Sequence, residues 1–115
     1  MPPRSWQFRV GDILHAIQQV QEYTDGMDFD AFASNALVID GVLYRIAVIG
    51  EAARAIPDDV KVRHDHIPWR AIQTMRNRLV RENFGVRVDT VWQTVVSDLP
   101  SLILAMEALK RESDA

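Results

Sequence analysis

"DFDAFASNALVIDGVLYRIAVIGEAARAI", residues 28–56, decides the fold class of this chain. Ile39, Val42, Leu43, Ile46, Ile49, Ala53 and Ile56 recur at steps of three and four, which gathers them on one broad face of an α-helix. The stretch reads as mostly one long helix with a break near Ser34 and Asn35. Gly50 inside it costs about 1 kcal/mol relative to alanine, and close approach of a neighbouring helix is the return that explains it. Asp40, Tyr44, Ala47 and Glu51 form a second stripe, because a spacing of eleven residues is about three turns.

The same period extends to both sides. Ile13, Leu14, Ile17 and Val20 place a first helix over 10–23, and "TDGMD" stops it, with Gly26 suited to a left-handed residue. Downstream, Pro57 ends the long helix, and "DDVKVRHDHI" is a polar connection with one short helical turn. "IPWRAIQTMRNRLVRENFG" predicts a helix that starts at Pro68 and closes at Gly85, with a seam of Ile72, Met75 and Leu79. Asp89 is the expected N-cap of the last helix. Trp92, Val95, Val96, Leu99, Leu102, Met106 and Leu109 form its buried side, and Pro100 should kink it. These elements make an all-α fold: an antiparallel up-and-down helical bundle of four main helices with one or two short extra helices.

Composition narrows the function. At 115 residues the chain is expected to be a single domain, 1–115, with a small core that oligomerisation would enlarge. It has no cysteine, which excludes disulfides and thiolate metal sites and fits a cytoplasmic location. Neither a signal peptide nor a bilayer-length apolar run is present, so no membrane role is expected. The formal net charge of -3 argues against wholesale coating of nucleic acid but leaves room for a local basic patch. Arg70, Arg76, Arg78, Arg81 and Arg87 supply it, five of the 13 Lys and Arg residues.

Two readings of "RNRLVRENFG", 76–85, stay open on the residues alone. On a helix, Arg76, Val80 and Asn83 would align, Arg78 could pair with Glu82, and Arg78 and Arg81 would repel unless an anion sat between them. The stretch is then either a phosphate site or a solvated face with Arg76 paired to Glu51 or Asp40. The histidines decide nothing: His64 and His66 flank Asp65 in a loop without a third ligand, and His15 sits among polar neighbours. Trp69 and Trp92 read as core anchors. No phosphate loop, zinc-protease signature or nucleophile elbow is present.

The blocks "YTDGMDFDAF", "VIGEAARAIP", "IPWRAIQTMRNRLVRENFGV" and "VWQTVVSDLP", in this order, resemble the HepT-like family of HEPN-domain proteins over about 10–106. The resemblance implies a helical homodimer and the toxin half of a toxin-antitoxin pair, whose partner is a minimal nucleotidyltransferase. It also implies a metal-independent endoribonuclease with no cofactor, acting on RNA through an arginine, a histidine and a tyrosine, the last adenylylated by the partner. Carried onto this chain, the arginine is Arg76, followed by a matching Asn77; the histidine position is Arg81 and the tyrosine position is Asn83. Arg76, Arg81 and Asn83 thus take the catalytic positions. Arg76, Asn77, Arg78 and Arg81 are the expected phosphate contacts, with Asp40 and Glu51 behind them to orient Arg76. Arginine stays protonated, so Arg81 cannot serve as a general base, though it can bind phosphate or stabilise transition-state charge. Asn83 has no hydroxyl to adenylylate. Three expectations follow from this substitution: a working toxin that borrows His64, His66 or a histidine from the second subunit; a degenerate regulatory homodimer that keeps the nucleotidyltransferase surface; and a plain bundle with a wet basic face.

Overall fold

Helix α3, Ala36–Arg54, is the element around which the others assemble, and the computed structural model describes it within residues 5–81 and 85–114. Before it come α1 (Trp6–Tyr23) and α2 (Phe29–Ala33); after it come α4 (Asp58–Arg63), α5 (Trp69–Gln73), α6 (Met75–Leu79), α7 (Val88–Gln93) and α8 (Leu99–Asp114). Helices α1, α2, α5, α6 and α7 all pack on α3, and α8 closes the bundle against α1. No helix among the described residues is long and apolar enough to cross a membrane.

The apolar stripes become the core. Val10, Ile13, Ala16, Ile17 and Val20 of α1 face Ile39, Val42, Ile46, Ile49 and Ala53 of α3, all buried. Helix α1 begins at Trp6, earlier than the apolar period requires, because Ser5 caps it: its hydroxyl accepts from the Gln7 N–H at 3.4 Å. Gly26 takes φ 75°, the left-handed turn expected of it. The break near Ser34 and Asn35 is real and has a local cause. The Ser34 hydroxyl donates back to the Asp30 carbonyl at 2.9 Å, and Asn35 Oδ1 accepts from the Val38 N–H at 3.1 Å, ending α2 and starting α3.

The expected close approach at Gly50 is present. A Cβ at Gly50 would lie 3.1 Å from the Gln73 carbonyl oxygen, so the C-terminus of α5 rests directly on the α3 backbone. That contact sets where the following segment starts.

The helix drawn from Pro68 to Gly85 does not run through. It is interrupted at Thr74, whose hydroxyl donates to the Arg70 carbonyl at 2.9 Å, and α6 stops at Leu79. Val80 is extended, at φ -114° and ψ 128°, and forms an antiparallel bridge with Val86. Arg81 N–H donates to the Gly85 carbonyl at 2.6 Å and Arg87 N–H to the Leu79 carbonyl at 2.8 Å, so the end of the segment is a hairpin. Valines at both bridge positions suit the extended chain. Gly85 therefore sits in this hairpin and does not close a helix.

The last helix starts at Val88, with Asp89 in its first turn and not at the cap, and passes through a π-helical turn, Thr94–Asp98, before α8. There the Leu99 N–H donates to the Thr94 carbonyl, five residues back. The proline ring of Pro100 needs room at the preceding turn, and the widened turn supplies it. The extra residue also shifts the helical phase. Val95, Leu99, Leu102, Met106 and Leu109 are buried, but Val96, expected in the core, is 45% exposed. Trp92 is half-buried and packs on Phe32 of α2, ring centroids 5.1 Å apart.

Gly50→Ala should lower stability by about 1 kcal/mol in urea denaturation, because the strained contact with a backbone carbonyl outweighs the helix-propensity gain. Gly11, inside α1 with nothing within 4 Å of a Cβ, is the control: Gly11→Ala should raise stability.

Candidate functional site

Residues two apart on a helix point to nearly opposite sides. On α6 this divides the arginines. Arg76 and Asn77 line a half-open cavity of about 230 Å³ whose other walls are Ile46, Ala47, Gly50, Glu51 and Arg54 of α3 and Gln73 of α5. Arg78 opens instead onto a separate cleft toward α8, with Pro68, Ala71, Met75, Asp98, Ser101 and Leu102. Arg76 and Arg78, both expected phosphate contacts, therefore do not share a ligand space within the chain.

Arg54 is the residue that sequence reasoning missed. Its Nη1 lies 2.6 Å from Glu51 Oε1, one turn back on α3, and its Nη2 donates to the Gln73 carbonyl at 2.8 Å. It satisfies the end of α5 and ties that helix to α3 at the place where Gly50 lets them touch. The i, i+3 spacing from Glu51 was visible in the sequence. The link to Gln73, nineteen residues on, was not.

The Arg54 contact also settles the partner of Glu51. The pairing of Arg76 with Glu51 or Asp40 does not form: Glu51 is engaged by Arg54, and Asp40 is exposed and does not line the cavity. Glu51 keeps a wall of the cavity and Asp40 does not. Other arginines have partners: Arg9 with Asp12 at 3.8 Å, Arg63 with Asp59 at 3.5 Å, and Arg45 over the rings of Tyr23 and Tyr44. Arg70, Arg76, Arg78, Arg81 and Arg87 have no carboxylate within 4.0 Å among the described residues, nor has Arg111 at the far end of α8. Side chains of one sign left unpaired along one segment leave an anion-attracting surface.

Arg81 is exposed at the start of the hairpin, its backbone held by the Gly85 carbonyl. Asn83 lies outside the described residues. None of the three histidines lines the Arg76 cavity. His64 is turned to α8, with Nε2 3.2 Å from Glu112 Oε1, and its backbone carbonyl accepts from Trp69 Nε1 at 3.1 Å. His66 stands next to it, ring centroids 6.0 Å apart, and His15 is exposed on α1. Among the described residues no group of three or more His, Asp or Glu is placed to hold a metal ion. The cavity can therefore hold a phosphate by guanidinium and amide groups, with an apolar floor, and offers no imidazole of its own to move a proton.

Arg54→Ala should cost about 1 kcal/mol, the net worth of a charge-assisted hydrogen bond at a partly exposed position. Amide exchange at Met75–Asn77 should quicken in that variant. Arg78→Ala, which faces the other cleft, should leave the exchange at these amides unchanged.

Comparison with known proteins adds the following. A family model described as "Ribonuclease HepT-like" matches residues 13–109. The chain is 37% identical over 108 residues to "Probable ribonuclease HepT" of Thermococcus cleftensis, covering 94% of this chain and 98% of that protein. Methanocaldococcus jannaschii has relatives with provisional RNase names; one is 31% identical over 112 residues, 97% of each chain. Another, 37% identical over 90 residues, matches through 40% of a protein that also bears the name gamma-glutamylcyclotransferase. No solved structure gives a significant match.

Proposed function

This chain belongs to the HepT-like ribonuclease family, and from that premise we propose that it is a toxin-type HEPN component that engages RNA through Arg76 and Asn77 but has lost the proton shuttle of the reaction. The observation that supports it is the state of Arg76: exposed, without an acidic partner among the described residues, and beside a Glu51 already engaged by Arg54. An unpaired guanidinium next to a carboxamide on a half-open cavity is suited to a phosphodiester. Arg78 and Arg81 add to the electrostatic attraction from outside the cavity.

Metal-free RNA cleavage needs one group to take the 2′-hydroxyl proton and another to protonate the leaving oxygen. At the histidine position stands Arg81, which remains cationic at any ordinary pH. It can steady negative charge but cannot carry a proton back and forth. The tyrosine position is Asn83, which offers no hydroxyl to an adenylylating partner. The reading is therefore a cytoplasmic homodimer, bound by a nucleotidyltransferase, that binds RNA and cleaves it poorly. Its regulation rests on binding and not on AMP transfer to the motif.

In EDTA the unaltered protein should leave a labelled transcript intact while binding it with an affinity that falls as salt rises. Arg76→Ala should weaken binding about tenfold, the loss of one charge-assisted contact. The double variant Arg81→His, Asn83→Tyr should gain cleavage that a third change, Arg76→Ala, removes. Metal-free scission by the unaltered protein, abolished by Arg76→Ala, would return the chain to the working-toxin reading, with its histidine drawn from the second subunit.

A further inference from the structure

The outer face of α3 continues beyond the Arg76 cavity. Ala47 and Glu51 line that cavity and also line a second depression, bounded by Arg9, Asp12, Tyr44 and Val48. The two hollows thus meet across one small side chain and one carboxylate. At the far end stands Tyr44, 63% exposed. Phe8 at 59% and Phe29 at 40% are exposed as well, but the Tyr44 ring is held in place by a cation. The Arg45 guanidinium lies 5.3 Å from its ring centroid, and Arg45 Nε in turn donates to the Tyr23 hydroxyl at 3.1 Å. Gly41 makes room for Tyr23: a Cβ there would come within 3.2 Å of that ring.

We propose that Tyr44, braced by Arg45, is a stacking platform for a base of single-stranded RNA whose phosphate lies at Arg76. The proposal rests on the RNA reading above and names where the strand goes next. From Tyr44 to Glu51 is seven residues along α3, about 10 Å, the reach of a nucleotide or two of extended strand. Stacking is chemically suited to this surface, since every base has a π-face and a ring backed by a guanidinium needs no sequence-specific partner. The floor between the two ends is short alkyl side chains, Ala47, Val48 and Ala52. It gives a flat base a bed and offers no deep pocket to the branched side chains of a protein partner. Charge agrees as well. The acids along the path are engaged, Asp12 with Arg9 at 3.8 Å and Glu51 with Arg54 at 2.6 Å. Asp40, one turn before Tyr44, lines neither hollow.

The test is fluorescence anisotropy with short fluorescein-labelled oligouridylate on the full chain. Tyr44→Ala should bind about tenfold more weakly, the scale of one lost base stack, while Tyr44→Phe keeps the wild-type affinity. The salt dependence should be unchanged in Tyr44→Ala and shallower by about one ion in Arg76→Ala. Replacing one nucleotide of the oligomer by an abasic residue should cost the wild type the same tenfold and leave Tyr44→Ala indifferent. If Arg76→Ala weakens binding and Tyr44→Ala does not, the platform is wrong and the RNA reading survives. If neither variant changes binding, the RNA reading fails and the platform falls with it. If Tyr44→Ala turns a dimer into a monomer in sedimentation and loses affinity equally for intact and abasic oligomers, the face is an interface between copies and the platform is overturned.

Discussion

The bundle depends on one backbone-to-backbone contact. Gly50 of α3 has no Cβ, so the Gln73 carbonyl at the end of α5 can lie where a side chain would otherwise stand. That carbonyl is at a helix terminus and needs a donor. Arg54, one turn further along α3, provides it at 2.8 Å and is itself steadied by Glu51. Contact and cap together fix the end of α5 on α3. The chain then turns at Thr74 and presents Arg76 and Asn77 to the same surface. A missing methyl group in the middle of a helix thus governs the placement of side chains more than twenty residues later.

The same arrangement sorts the charges. Near the surface an isolated ion pair contributes little stability, so pairing is better understood here as deciding which charges remain available. Glu51 could have neutralised Arg76, and Arg54 takes it instead. The arginines outside 70–87 largely have local partners one turn away or an aromatic ring beneath them. Those inside it have none among the described residues. A chain with a net charge of -3 can in this way keep a cationic segment without a basic domain.

On the proposed function, membership of a ribonuclease family and possession of its reaction are separate matters for this chain. The core blocks that shape the bundle are intact, and they answer to packing. The positions to which the resemblance carries the proton-moving residues answer to acid–base chemistry, and this chain has Arg81 and Asn83 there. A helical scaffold does not register the residue type at Arg81, which is exposed beyond the last residue of α6 and outside the apolar core.

The helical class, the long third helix with its break at Ser34 and Asn35, the left-handed Gly26 and the close approach at Gly50 could be read from the residues. Each follows from local periodicity or from a backbone requirement that only one or two residue types meet. The end of α6 could not be read in this way. The sequence from Pro68 to Gly85 has a helical seam, and only the pairing of Val80 with Val86 shows that it turns into a hairpin. The π-turn before Pro100, and with it the outward face of Val96, depends on how Trp92 of α7 packs on Phe32 of α2. The division of Arg76 from Arg78, and the diversion of Glu51 to Arg54, likewise needed the assembled bundle. Sequence by itself determined which side chains are apolar, which are permanently charged and which can carry a proton. Only the tertiary structure decided which of the charges find partners, because a contact between residues far apart in the chain is set by the packing of helices and not by the spacing within one.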